Sequence, residues 1–361
     1  MQIPIENIYY LLCYAWNKLD EKERVNVSID DKTELLDLFA KILINATKML
    51  LKRGIDKNYV DQTQELSGVK GKVQISQTLK SNLLFKQRTI CTFDDFSANI
   101  ISNRILVSTI YRLTRTKGLD KQLKNELVSL QRMLSDIEQI EITNSLFKQV
   151  KLNRNNRFYG FVMNVCQIIY ESTLPSEEQG KSKFSDFTRD DKKMNQLFES
   201  FIRNFYKIEQ QKYKTVKKET IKWQFDNTDR DSYQYLPQME TDITLENDEE
   251  KIIIDAKFYR ETMTINYDKE RIKSANLYQL FSYLLNQQET TLKTQNATGI
   301  LLYPTIETDY NLNFKYNEHK IQIRTINLNS NWRNISSRLK EIIEIDKKVT
   351  PQPTLNDTIT Q

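Results

Sequence analysis

Two aspartates and a lysine, Asp242, Asp255 and Lys257, stand where strands are expected to end, and carboxylates so placed can hold a hard cation. The chain reads Met239-Glu240-Thr241-Asp242-Ile243-Thr244-Leu245, then a polar break Glu246-Asn247-Asp248-Glu249-Glu250, then Lys251-Ile252-Ile253-Ile254-Asp255-Ala256-Lys257-Phe258. Runs rich in β-branched residues on either side of a short charged segment predict a β-hairpin. Strand alternation puts Ile253, Asp255 and Lys257 on one face and Ile252, Ile254, Ala256 and Phe258 on the other. A turn centred between Asp248 and Glu249 sets Asp242 opposite Asp255. Like charges facing across a ladder destabilise it unless a cation sits between them. Asp242 and Asp255 on Mg²⁺, with the Ala256 carbonyl as a further ligand and Lys257 beside them, make a phosphodiesterase site. The competing reading is bland: Asp-x-Lys at a strand end is usually a solvated ion pair worth ~0–1 kcal/mol.

The elements that would position these groups are legible on both sides. Asp190-Asp191 can cap a helix whose apolar stripe is Met194, Leu197, Phe198, Phe201, Phe205 and Ile208, with Glu199 at its edge. Ala275 to Asn286 predicts a second helix, on which Gln279 and Tyr283, four apart, share a face. A strand follows at Gly299 to Tyr303 and is expected to stop at Pro304. Lys212, Lys214, Lys217, Lys218 and Lys222, with Tyr213 and Trp223 between them, read either as phosphate contacts or as a solvated, lysine-rich helix end.

In this order, Glu199, Asp242, Asp255-Ala256-Lys257 and Gln279-x-x-x-Tyr283 resemble the PD-(D/E)xK nuclease superfamily, most closely its RecB-like branch. The departure is at the first acid, where Thr241 precedes Asp242 and Pro237 lies several residues earlier. A narrower resemblance spans nearly the whole chain. The opening Ile3-Pro4-Ile5-Glu6-Asn7-Ile8-Tyr9-Tyr10-Leu11-Leu12-Cys13-Tyr14-Ala15-Trp16 is similar to the start of McrC proteins, the nuclease subunit of McrBC-type restriction systems. So are Gly68-Val69-Lys70-Gly71-Lys72-Val73, Phe93-Asp94-Asp95-Phe96-Ser97 with Asn103-Arg104-Ile105-Leu106, and Met194 to Glu199. The resemblance implies a nuclease that works with a hexamer of McrB, a GTP-hydrolysing AAA+ partner that recognises double-stranded DNA carrying modified cytosine. The amino-terminal part would dock on that ring and stimulate it; the carboxy-terminal part would cut. It also implies roles for Glu199, as a support of the metal site, and for Gln279 and Tyr283, which would orient Lys257 or contact the DNA backbone. Two rival readings are a non-cutting adaptor that activates a GTPase and a solitary nuclease.

Composition sets the frame. At 361 residues two domains are the default, and hydrophobic residues at 39% suffice for cores. A net charge of +5 suits DNA contact without making a polycation. Cys13, Cys91 and Cys166 are scattered in apolar stretches and predict core thiols in a reducing, cytoplasmic setting. No secretory signal pattern and no apolar run of bilayer length occurs. The single histidine, His319, lies in a charged, loop-like segment and reads as a surface residue, which excludes histidine-based triads and metal boxes. No G-x-x-x-x-G-K-[ST] is present, so GTP must be bound by a partner.

The expected plan is two domains. The first, 1–175, is a mostly helical partner-binding domain with a small β element. Its helices run from about Lys32 to Arg53, Ala98 to Thr116 and Asp120 to Ile137; strands and turns lie between Tyr59 and Ile75, and Cys91 to Asp95 forms a turn or helix cap. A Pro/Gly-punctuated break follows Leu174. The second, 176–347, is a restriction-endonuclease-like α/β domain, and 348–361 is a disordered tail.

Overall fold

The computed structural model describes residues 3–16, 34–153, 156–175, 182–225, 230–259, 264–266, 269–271, 273–287, 291–306 and 309–344. The expected tail and the break at 176–181 lie outside the described residues. Mixed helix and sheet is the observed class, as expected. The division differs from the expected one: Met1–Asn17 and Thr188–Gln361 form one compact unit, and Lys18–Phe187 the other.

The first domain therefore does not begin at residue 1, and the cause is the opening helix, Ile5–Ala15. Its Leu11, Leu12 and Cys13 are buried. Asn7 Nδ2 donates to the carbonyls of Leu328 and Ser330, both at 2.8 Å, and Asn204 Nδ2 donates to those of Tyr14 and Ala15. The Tyr10 ring stacks on Trp332 with centroids 4.5 Å apart. Tyr14 packs against Phe201 and Phe205 while its hydroxyl donates to Glu209. An apolar helix face needs a core to bury it, and this one finds it in the carboxy-terminal unit.

The 18–187 unit is helical, as the apolar periodicity predicts. The helices Leu35–Arg53, Ile101–Thr114, Lys121–Met133 and Arg157–Ser172 carry its core. Asp120 caps the third by accepting from the Gln122 and Leu123 N–H groups. The β element is a three-stranded antiparallel sheet, with Thr89–Ser97 between Asn58–Leu66 and Lys72–Val73. This corrects the turn expected over Cys91 to Asp95: the run Thr89-Ile90-Cys91-Thr92-Phe93 is rich in strand-forming types, and its pairing outweighs the two aspartates. Gly71 turns the chain at φ +66°, where a Cβ would lie 2.5 Å from the Thr92 carbonyl oxygen.

The other unit is built on a six-stranded mixed sheet in the order Asn311–Tyr316, His319–Asn327, Thr298–Thr305, Lys251–Ala256, Ile243–Glu246, Thr215–Lys217. The central pairs are parallel and the outer ones antiparallel. Lys251–Ala256, Thr298–Thr305 and most of His319–Asn327 are buried, which is why they read as near-continuous apolar runs. The Thr298–Thr305 strand passes through Pro304 instead of stopping there. The ladder to Lys251–Ala256 has already ended at Leu302, so the N–H that proline lacks is not needed on that side. Gly299 lets the helix Ser274–Leu285 close on this strand, since a Cβ there would meet the Leu284 and Leu280 side chains at 2.9–3.0 Å.

Candidate active site

The predicted hairpin forms in the predicted register. Ile243 pairs with Ile254 and Glu246 with Lys251, so continuation of the same ladder sets Asp242 against Asp255. Asp242 itself stands just beyond the last paired residue. Its Oδ2 accepts from the Ala256 N–H at 3.1 Å and from Lys257 Nζ at 3.1 Å. Lys257 Nζ also lies 2.9 Å from Asp255 Oδ1 and so bridges the two acids. That Thr241 and not proline precedes Asp242 has a local cause. Thr241 N–H donates to the Glu219 carbonyl at 2.9 Å, and its hydroxyl accepts from the Glu219 N–H at 3.0 Å; proline could make neither bond.

Asp255 carries the unusual electrostatics. It is fully buried; its close polar neighbours are Lys257, whose Nζ lies 2.9 Å from Oδ1, and Asp242, and no backbone N–H reaches either carboxylate oxygen. Burial pushes its carboxyl up to about 7; Lys257 opposes the rise and Asp242 adds to it. Burial works against the Lys257 ammonium, but Asp255 and Asp242 more than offset this and hold its pKa above the usual lysine range.

The helix Asp191–Glu209, capped by Asp190, brings Glu199 to the same place. Burial raises the Glu199 carboxyl and Asp242 raises it further, against Lys257, Lys218 and Arg203. Two neighbours on this helix were not singled out from sequence. Asn195 donates from Nδ2 to Glu199 Oε1, and its Oδ1 accepts from the Phe258 N–H at 2.8 Å. Arg203 donates to the Asp242 carbonyl at 3.3 Å. The signal was available: 195, 199 and 203 are spaced by four, one polar line along a helix.

Gln279 and Tyr283 share a face as expected, and neither hydrogen-bonds Lys257. Gln279 Nε2 donates to the Tyr283 hydroxyl at 2.6 Å, and that hydroxyl donates to the Glu240 carbonyl at 2.9 Å, holding the strand that leads into Asp242. The lysine-rich segment is strand and turn, not a helix end. Lys212, Lys214, Lys217 and Lys218 pair with Glu250, Asp248, Glu219 and Glu240, while Lys222 is exposed. His319 is not a surface residue: it opens a strand, is fully buried and has Nδ1 3.0 Å from the Ala297 carbonyl oxygen. The strand's pairing and the flanking Ile321 and Ile323 override the charged context.

With this geometry in hand, known proteins give a context. The sequence model of the family described as "McrBC 5-methylcytosine restriction system component" matches residues 6–304. The chain belongs to this family. It is 32% identical over 342 residues to the Escherichia coli K12 protein named "Type IV methyl-directed restriction enzyme EcoKMcrBC", covering 95% of this chain and 97% of that one. It also superposes, with a TM-score of 0.53 and 16% identity, on a chain of the Thermococcus gammatolerans half-complex from the tetradecameric assembly of McrB AAA+ hexamers with bound McrC. That match covers 94% of this chain and 76% of the other, and at this identity the likeness is one of fold.

The matched span of the McrBC family includes Glu199, Asp242, Asp255, Lys257, Gln279 and Tyr283. Among the described residues no three His, Cys, Asp or Glu side chains form a metal-binding group, and no helix is long and apolar enough to cross a membrane. The residues present nonetheless fit a hard divalent cation. Asp255 offers a buried carboxylate that no backbone N–H reaches, Asp242 lies beside it, and such cations accept few protein carboxylates and fill the rest of their shell with water and phosphate.

Proposed function

We propose that this McrBC family member is the DNA-cleaving subunit of a GTP-dependent restriction complex, with a PD-(D/E)xK site formed by Asp242, Asp255 and Lys257 on its carboxy-terminal unit. One observation carries the reading: a fully buried aspartate that no backbone N–H reaches, beside a second aspartate and sharing with it a single bridging lysine. Buried carboxylates are normally paired and hydrogen-bonded at all their acceptor positions; here one lysine serves two acids, which leaves Asp255 acceptor capacity for a ligand. Mg²⁺, when bound, supplies charge neutralisation at the phosphate and an acidified water. Asp242 and Asp255 would hold it, with the Ala256 carbonyl as a further ligand. Lys257 stays charged because its pKa is raised, so it serves as a cation opposite charge developing on the phosphate and not as a base. Glu199 supports the site from the neighbouring helix.

The substrate and partner follow from the relatives. A methyl-directed relative suggests DNA carrying methylated cytosine, and an archaeal assembly of McrB hexamers with bound McrC suggests an AAA+ GTPase ring as partner. The absence of a P-loop motif fits nucleotide binding by that partner. The 18–187 unit carries exposed apolar residues in one stretch of sequence, Val69, Ile75, Leu79, Leu84 and, at 91% exposure, Phe85. Apolar surface of this kind marks a docking face, and we assign it to the ring.

The test is cleavage of cytosine-methylated and unmethylated plasmid by the chain with its cognate GTPase, GTP and Mg²⁺. Asp255→Ala should lower methylation-dependent cutting by at least about 100-fold while stimulation of GTP hydrolysis persists. Equal cutting by both proteins would overturn the site. GTPase stimulation without cutting by either would point to an adaptor.

A further inference from the structure

At the end of the catalytic strand the neighbouring ladder stops while the strand runs on. Ile243 is the last residue of its strand to pair, opposite Ile254. On the other edge, Lys257 N–H still donates to the Leu302 carbonyl at 3.0 Å. The N–H groups of Ala256 and Phe258 point the opposite way, where no strand remains, and two side chains replace it: Asp242 takes the Ala256 N–H and Asn195 the Phe258 N–H. Phe258 is buried, so its N–H requires an acceptor.

Asn195 does a second thing with the other end of the same amide. Its Nδ2 donates to Glu199 Oε1, one helical turn on. Glu199 is half-buried, repelled by Asp242 and drawn by Lys257, Lys218 and Arg203, and Asn195 supplies the hydrogen bond that fixes its carboxylate. A primary amide is suited to this double duty, with an acceptor at one end and a donor at the other. We propose that Asn195 is a positioning residue which ties Glu199 to the backbone just beyond Lys257 and so fixes the carboxylate that supports the cation site from the neighbouring helix. The assignment rests on the nuclease reading above.

Asn195→Asp separates the two duties. A carboxylate still accepts the Phe258 N–H, but it cannot donate to Glu199 and repels it. Adding Glu199→Gln restores a donor and acceptor in exchanged positions. Four full-length proteins, wild type, Asn195→Asp, Glu199→Gln and the double variant, are compared by calorimetric Mn²⁺ titration and by cleavage with the cognate GTPase. Asn195→Asp should weaken Mn²⁺ binding and lower kcat by about 10-fold or more, the usual effect of losing a ligand's supporting partner, with KM for DNA and the melting temperature unchanged. The double variant should be no worse than Glu199→Gln alone. Wild-type Mn²⁺ affinity and rate in Asn195→Asp would overturn the assignment, as would a double variant that loses the product of the single losses. If Asn195→Asp does not fold, the comparison of the double variant with Glu199→Gln decides by itself. Asp255→Asn serves as the control: if it binds Mn²⁺ and cuts like wild type, the nuclease reading falls. If it loses both while Asn195→Asp loses neither, only the role of Asn195 falls.

Discussion

The chain juxtaposes two aspartates across an antiparallel strand pair twice, with opposite consequences. In the 18–187 unit, Asp61 faces Asp94 in the pairing of Asn58–Leu66 with Thr89–Ser97. The two carboxyls share a hydrogen bond that raises the Asp94 pKa, in full contact with solvent. In the other unit, Asp242 and Asp255 meet at the hairpin end, but there burial dominates and a lysine bridges them. Water screens the first pair, so it can persist with no third group. The second pair has lost that screening and is held by the Lys257 bridge, with the Ala256 N–H on Asp242 beside it. Facing carboxylates alone therefore make no site; enclosure and a cation do.

Three measurements sharpen or break this contrast. The largest effect is expected at Lys257. Lys257→Met removes the bridge and leaves two buried acids facing each other, which should cost about 3 kcal/mol in urea unfolding of the metal-free protein. A loss below about 1 kcal/mol would mean that the lysine is not what holds the pair. Next comes pH. The Asp255 carboxyl sits near 7 in the folded protein and 3.8 is its ordinary value. Between about pH 4 and pH 7 the folded state keeps a proton that the unfolded chain has released, so stability falls as pH rises through that window. Asp255→Asn should flatten the slope there, and parallel wild-type and variant curves would contradict the burial argument. The smallest effect is at the exposed pair. Asp94→Asn should leave melting temperature and cleavage indistinguishable from wild type, and a marked loss of either would mean that the first pair is also functional.

The legible parts of this molecule were those dictated locally. The hairpin register followed from strand period and one polar break, and Lys257 fell beside Asp255 for the same reason. The Asp190 cap and the helix that carries Glu199 followed from an apolar stripe, although Ile208 at its end is 41% exposed. Illegible parts depended on partners distant in sequence. His319 looked solvent-bound because its neighbours are charged, yet the strand containing Ile321 and Ile323 draws it inside. Tyr283 shares a face with Gln279 as spacing dictates, but its acceptor, the Glu240 carbonyl, lies 43 residues away. The role of Asn195 depends on Phe258, 63 positions on, and no local pattern announces that contact.

The opening helix has a consequence for the order in which the protein is made. Asn7 leaves the ribosome 321 and 323 positions before its acceptors at Leu328 and Ser330. At ~5–20 residues per second, the helix waits roughly 15 to 60 seconds for its seat. The intervening Lys18–Phe187 segment can fold in that interval, whereas the unit holding Asp242 and Asp255 closes only after Leu328 and Ser330 have emerged. A ribosome that stalls before Leu328 thus leaves the Lys18–Phe187 unit complete and the unit holding Asp242 and Asp255 without the seat of its opening helix.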